Sequence, residues 1–295
     1  MTLSCRDTNS LPKVADAGQV RDHPAGRVQV MHNGLLVIEG CYYGPWMTRI
    51  IRGLAGHHEP QEEAVFDAVV RRLAASGPAA PTMIEFGSFW AYYAMWFCRA
   101  LPGGRALAME PDPVYLQVGA RNAKLNDLMG RIDFVHGAVG ARPGEIMQFR
   151  AESTGEPTAV VQHDLASLMT SVGWQRVDLA LLDIQGAETV LLDRAGGLLR
   201  AGAVRFLIVS THHQSISGDA LTHQKALDLI AACGGSVIAE HTVRESYSGD
   251  GLIAASFDPG DRDLSVTISR ARARDSLFGE PEYEIAALLN RLPPG

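Results

Sequence analysis

Two carboxylates and a glycine stand in this chain where a nucleoside could be gripped. Glu85-Phe86-Gly87-Ser88 ends one short apolar run, and Glu110-Pro111-Asp112 ends the next, residues 105–109. Gly87 allows a tight turn and a close approach of backbone to a ligand. A carboxylate accepts two hydroxyl hydrogen bonds at once, which suits Glu110 to a ribose. Glu110 follows Gly87 by 23 residues, near the ~20 between a nucleotide-binding glycine turn and its ribose acid. A dinucleotide site wants G-x-G-x-x-G, so that a helix N-terminus can take the pyrophosphate. Here Gly87 stands alone, and bulky Phe89 and Trp90 fill that space. Glu85, an acid at a strand tip, suits a cation. S-adenosylmethionine carries an ammonium and a sulfonium and no phosphate, so these residues favour it over NAD as the cofactor.

Methyl transfer to an alcohol needs an acceptor held in line and a group that takes its proton. Asp183 ends the apolar run 177–182, and Ser210-Thr211-His212-His213 ends another. Asp183, His212 and His213 are therefore the candidates for catalysis. Histidine titrates near neutral pH and suits a general base. Asp183 and His212 would equally suit a divalent metal that lowers the acceptor's pKa. Residue type alone does not separate base from ligand, and metal dependence stays open. His57-His58-Glu59 is a second histidine pair, placed just before a helix, where it would contact substrate as part of a lid. Trp46, with Tyr42 and Tyr43, would give an aromatic wall suited to a sugar ring, or plain core.

The elements that must position these residues alternate. Residues 28–39 read as a hairpin around Asn33-Gly34, a strong turn signal. Residues 60–73 read as a helix, with Pro60 at its first position and acids in its first turn. From residue 82 strands alternate with helices: strands at 82–86, 105–109, 132–136, 177–182 and 204–210, with helices at 90–101, 113–126, 187–195 and 220–233. Short strands are expected at 145–151 and 159–162, and a closing antiparallel pair at 236–240 and 252–257. Alternation of this kind implies a doubly wound α/β fold with a mainly parallel sheet. Ligands of such sheets sit at the carboxyl ends of the strands. The expected organisation is a loosely ordered lead-in over 1–25, a hairpin-and-helix cap over 26–78, a core over 79–262, and a strand and helix (283–292) over 263–295.

Composition narrows the class. Of 295 residues, 46% are hydrophobic and 20% charged, an ordinary globular balance. The net charge of −7 and the absence of an N/D-P-P-Y run argue against a nucleic-acid partner. Cys5, Cys41, Cys98 and Cys233 form no CxxC pair, which fits a reducing compartment. No run is apolar enough to span a bilayer, and residues 1–25 lack a signal-peptide pattern; the expected location is the cytoplasm. The expected partner is a small-molecule or glycan acceptor. A homo-oligomer is neither indicated nor excluded.

Residues 82–214 resemble the FkbM family of methyltransferases. The likeness rests on Ile84-Glu-Phe-Gly-Ser-Phe-Trp-Ala-Tyr-Tyr, Met109-Glu-Pro-Asp-Pro with Asn122 and Asn126, His136-Gly-Ala-Val-Gly, and Val177-Asp-Leu-Ala-Leu-Leu-Asp-Ile-Gln-Gly-Ala-Glu. His58-Glu-Pro-Gln-Glu is similar to the acid-proline step that precedes the family's first core strand. The resemblance implies the seven-stranded Rossmann-like fold of class I methyltransferases and O-methylation of sugars or natural products. By it, Glu85 and Gly87, with Ser88 and Trp90 beside them, hold the methionine end. Glu110, with Pro111 and Asp112, takes the ribose. Gly137 and Ala138 flank the adenine, and Asp183 lies beside the transferring methyl. Two residues depart from the family pattern. Ala91 replaces a frequent second glycine, and Gln185, a candidate substrate contact, replaces the usual glutamate. N-methylation of an amino sugar or amino acid is the alternative within the class. A nicotinamide oxidoreductase and a non-catalytic nucleoside-binding protein are the alternatives outside it.

Overall fold

The computed structural model describes residues 1–271. The N-terminal section is a small antiparallel sheet of β1 (Val20–His23), β2 (Gly26–Val30) and β3 (Leu36–Ile38), followed by helices α1 (Gly44–Gly53) and α2 (Pro60–Ser76). The Asn33-Gly34 turn joins β2 and β3, with Gly34 at φ 81°. The core then alternates: β4 (Thr82–Phe86), α3 (Tyr92–Ala100), β5 (Arg105–Glu110), α4 (Pro113–Leu125), β6 (Ile132–Val139), β7 (Ile146–Arg150), β8 (Pro157–His163), α5 (Leu165–Ser171), β9 (Val177–Leu182), α6 (Glu188–Arg200), β10 (Val204–Thr211), α7 (Gln214–Ser217), α8 (Thr222–Ala232), β11 (Ser236–His241) and β12 (Gly251–Ser256).

The large sheet runs β11-β12-β10-β9-β4-β5-β6-β8-β7. Its first seven strands in that order are the expected doubly wound set; β8 and β7 extend the β6 edge to nine. The chain switches direction across the sheet between β4 and β9, which pair in parallel. β12 runs antiparallel to β10, so the start of β12 lies at the same sheet edge as the end of β10.

Strand side chains alternate between two cores. Met83, Ala106 and Leu179 pack with the cap, α2 and α3, whereas Ile84, Leu107 and Ala180 pack with the side of α5, α6 and α8. That is why β4, β5 and β9 read as continuous apolar runs: both faces are covered.

Two expectations about the chain ends change. Residues 1–25 do not form a loose lead-in. They contain β1, Cys5 is buried, Thr2 Oγ1 donates to the Tyr247 carbonyl at 2.6 Å, and Asp7 accepts the Ser269 N–H at 3.0 Å. Polar residues that look solvated in isolation here find partners some 250 positions away. The expected strand after 263 is absent from the described part, 264–271. That stretch meets β11 through the Val266 N–H, which donates to the Ile238 carbonyl at 3.0 Å, and the turn after β11 through the Ala271 N–H, which donates to the Glu245 carbonyl at 2.8 Å. The helix expected at 283–292 lies outside the described residues.

Candidate active site

Two adjoining cavities open at the carboxyl ends of the parallel strands. The larger, about 360 Å³, lies over the tips of β4, β5 and β6, within the size range of small-ligand sites. The smaller, about 200 Å³, lies between the cap and the start of β12. Asp183 and Gln185 line both, together with Tyr42, Tyr43, His58 and Glu59.

The glycine turn is built by its neighbours. Gly87 and Ser88 N–H both donate to the Met109 carbonyl at 2.9 Å, tying the turn to β5. Gly87 has φ 77°, and a β-carbon there would stand 1.8 Å from the Asp183 carbonyl. Glycine is thus required because the tips of β4 and β9 touch. Further along the turn, Phe89 (φ 38°) and Ala91 (φ 57°) are also left-handed. Ala91, with a β-carbon that disfavours this region, holds it at a cost of about 1 kcal/mol.

The carboxylates of the larger cavity are held by backbone donors. Glu85 accepts the Ala94 N–H at 3.0 Å. Burial pushes it up to about 8, and Asp183 and Glu110 add to that against the Ala94 and Tyr93 amides. Glu110 accepts the Phe89 and Asp112 N–H groups, each at 2.9 Å. Burial raises it to about 7 despite those donors. Ser88 lines the cavity with a buried hydroxyl that has no protein partner, so it is free to bond a ligand. Trp90 and Pro111 line it too, Trp90 stacking on Tyr42 at 4.6 Å.

Some predicted residues do other work. Asp112 borders the cavity, but its carboxylate caps α4 through the Val114 N–H at 2.9 Å and holds Ser153 N and Oγ at 2.8 and 2.7 Å. Ala138 lines the cavity, whereas Gly137 faces away; a β-carbon on it would meet the His163 ring at 2.6 Å. Strand alternation makes the two neighbours opposite in role. Met147 and Phe149 of β7 supply the wall beside Ala138, a contribution with no counterpart among the expected site residues.

The histidine pairs split as well. His212 donates from one nitrogen to Glu188 at 2.7 Å and from the other to Asp183 at 3.1 Å, with Asp250 at 3.7 Å. Burial alone would lower its pKa, but the bonds to Asp183 and Glu188, with Asp250 adding, hold it well above the usual value. Both ring nitrogens are thus taken by carboxylates, which leaves His212 no free nitrogen to face an acceptor, against the expectation of a histidine base. Its partner Asp183 keeps a side chain 39% exposed. His213 lines neither cavity; it caps α7, accepting the Ser215 N–H at 3.2 Å.

His58 lines both cavities, but His57 is wholly buried behind them. Glu63 accepts the His58 N–H at 2.8 Å and bonds His57 Nδ1, so these residues knit the start of α2. Burial alone would lower His58, yet Glu59 and Glu63 raise it to about 10. His57 is corrected from substrate contact to internal support. Trp46 lines the smaller cavity and is half exposed.

Among the described residues, His32, His57 and Glu63 bring ligand-type atoms together. The two imidazoles, however, are stacked with centroids 4.1 Å apart and planes at 19°. A metal sits in the ring plane about 2.0–2.1 Å from its nitrogen, so one ion cannot serve both stacked rings. Asp183 and His212 meet each other directly in a hydrogen bond.

Glu59 and Glu188, each quoted within a longer run of the sequence, also stand at the site, as does Asp250, which the sequence did not single out. Burial pushes Asp250 up to about 7, with Asp183 and Glu59 adding and His212 opposing.

Comparison with known proteins follows this geometry. The model of the methyltransferase FkbM domain matches residues 77–237. No curated protein matches the chain. Solved structures with a similar shape include the N-terminal domain of human METTL16 in complex with SAH (15% identity, TM-score 0.43, covering 68% of this chain and 71% of that one). Another is the O-methyltransferase from Bacillus cereus in complex with SAH (16% identity, TM-score 0.43, covering 65% and 80%).

Proposed function

The chain belongs to the FkbM methyltransferase family, and on that premise we propose that it O-methylates a hydroxyl of a sugar, glycolipid head or secondary metabolite, with S-adenosylmethionine in the larger cavity and the acceptor in the smaller. The observation that carries this reading is the position of Asp183, in the wall common to both cavities. When bound, the cofactor supplies an electrophilic methyl group. The protein supplies the rest. Glu85 and Ser88 bind the methionine end, Glu110 the ribose hydroxyls, and Ala138 with Phe149 the adenine face. Asp183 accepts the acceptor's proton as the oxygen attacks. His212 positions Asp183, and Glu188 fixes His212 from behind, so the carboxylate is aimed without being buried. Gln185 and His58 border the acceptor. No step is assigned to a metal.

The test is calorimetric binding of S-adenosylmethionine, its homocysteine product and NAD, followed by transfer of labelled methyl groups to a library of hydroxylated acceptors. Binding of the product without NAD and turnover on a hydroxyl are expected. Asp183→Asn should retain product binding and lower kcat by about 10²–10⁴-fold. NAD binding without product binding would sink the reading; wild-type turnover in Asp183→Asn would remove Asp183 as the base.

A further inference from the structure

The smaller cavity is more acidic than methyl transfer to a neutral alcohol requires. Glu59, before α2, Asp183, after β9, and Asp250, before β12, face it from three separate segments. Among the residues lining it there is no lysine or arginine. Its two imidazoles, His58 and His212, are each met by a buried carboxyl behind the wall, Glu63 at 2.6 Å and Glu188 at 2.7 Å. Five carboxyl groups therefore stand around two imidazoles.

An independent feature of the same cavity points to the same kind of ligand. Tyr42, Tyr43 and Trp46 line it, and Trp46 and Tyr43 are 51% and 45% exposed. Burial pushes the Tyr42 hydroxyl well above its usual value, with Glu59, Asp183 and Asp250 adding to that. The ring is a neutral phenol in the field of all three carboxylates. Aromatic faces beside carboxylates attract cations through the ring quadrupole and by direct charge pairing. They also repel an anionic acceptor. A cation brought close to the cofactor's sulfonium would be opposed, and the surplus carboxylates offset that repulsion.

We propose that the acceptor carries a protonated amine close to its methylated hydroxyl, the ammonium lying against Asp250 and the faces of Tyr43 and Trp46. This rests on the methyltransferase reading above.

The test uses the full chain saturated with S-adenosylhomocysteine. It is titrated at pH 7 with trans-2-aminocyclohexanol and with trans-1,2-cyclohexanediol, which share a ring and a hydroxyl and differ in the amine. The amine should bind at least about tenfold more tightly, one near charge pair's worth. Asp250→Asn should remove most of that preference while leaving cofactor-product binding intact, which also certifies its fold. Trp46→Ala, at a half-exposed position, should weaken the amine about two- to fivefold. Equal binding of the two probes, preference for the diol, absence of amine binding, or an unchanged preference in Asp250→Asn overturns the proposal. Failure of the wild-type chain to bind S-adenosylhomocysteine overturns both this inference and the methyltransferase reading; binding of it without amine preference overturns this inference alone.

Discussion

Glu85 holds a proton that the cofactor should expel. Burial, with Asp183 and Glu110 nearby, raises it to about 8, so in the free protein at pH 7 it is mostly neutral. An ammonium beside it favours the carboxylate. Binding of S-adenosylhomocysteine at pH 7 should therefore release protons, and the release should fade as pH rises past about 8. Calorimetry in two buffers of different ionisation enthalpy reads this directly. Glu85→Gln should diminish the release and weaken binding about tenfold or more; proton uptake on binding would contradict the assignment. At this scale the sequence was legible where residue type and spacing suffice to place a residue: Glu85, Gly87 and Glu110 all line the larger cavity. It misled where partners decide the chemistry. His212 looked like a base because histidine usually is one near pH 7. Glu188 and Asp183 take both of its ring nitrogens instead, and nothing in the local run Ser210–His213 announces them.

The element that most constrains the site is the turn after β4. Gly87 cannot take a side chain, because its β-carbon would meet the Asp183 carbonyl. Gly87→Ala should force the β4 and β9 tips apart and lose both cofactor-product binding and several degrees of Tm. Ala91→Gly is the contrasting case. It relieves about 1 kcal/mol of left-handed backbone, but it loses about 0.8 kcal/mol of buried methyl and frees the unfolded chain. Stability within about 1 kcal/mol of wild type is expected, with product binding unchanged. Thermal melts and titration of both variants check the pair. The same turn shows what the pattern of strands could and could not convey. Looking just beyond each parallel strand found Glu85, Glu110 and Asp183. It missed Asp250, because β12 is antiparallel and its site residue comes before the strand, not after it. Likewise β7 was foreseen as a strand, yet its place at the sheet edge beside Ala138 follows from pairing with β8, which spacing does not encode.

Across the whole molecule, buried imidazoles held by carboxylates stand in both the cap and the core. His58 is raised to about 10 by Glu59 and Glu63 against the pull of burial, and His212 is raised in the same sense. A histidine whose folded pKa exceeds its unfolded ~6.5 stabilises fully below that value and ceases to do so as pH rises through the folded pKa. The apo protein should thus lose several degrees of Tm between pH 6.5 and about 10. His58→Gln should be less stable at pH 6.5 and show a flatter decline, and a decline as steep as wild type's would dissociate His58 from it.

The reversed direction of β12 has a consequence for how this molecule could change its chemistry. The floor of the larger cavity is formed by the tips of parallel strands, which also meet one another at Gly87 and Asp183. The far wall of the smaller one is owned by the loop 242–250 and the cap, which the parallel ladder does not need. Replacing that loop, whose Ser248, Gly249 and Asp250 line only the smaller cavity, would retarget the catalyst while its donor machinery stayed intact, much as a tool changes its bit and keeps its motor.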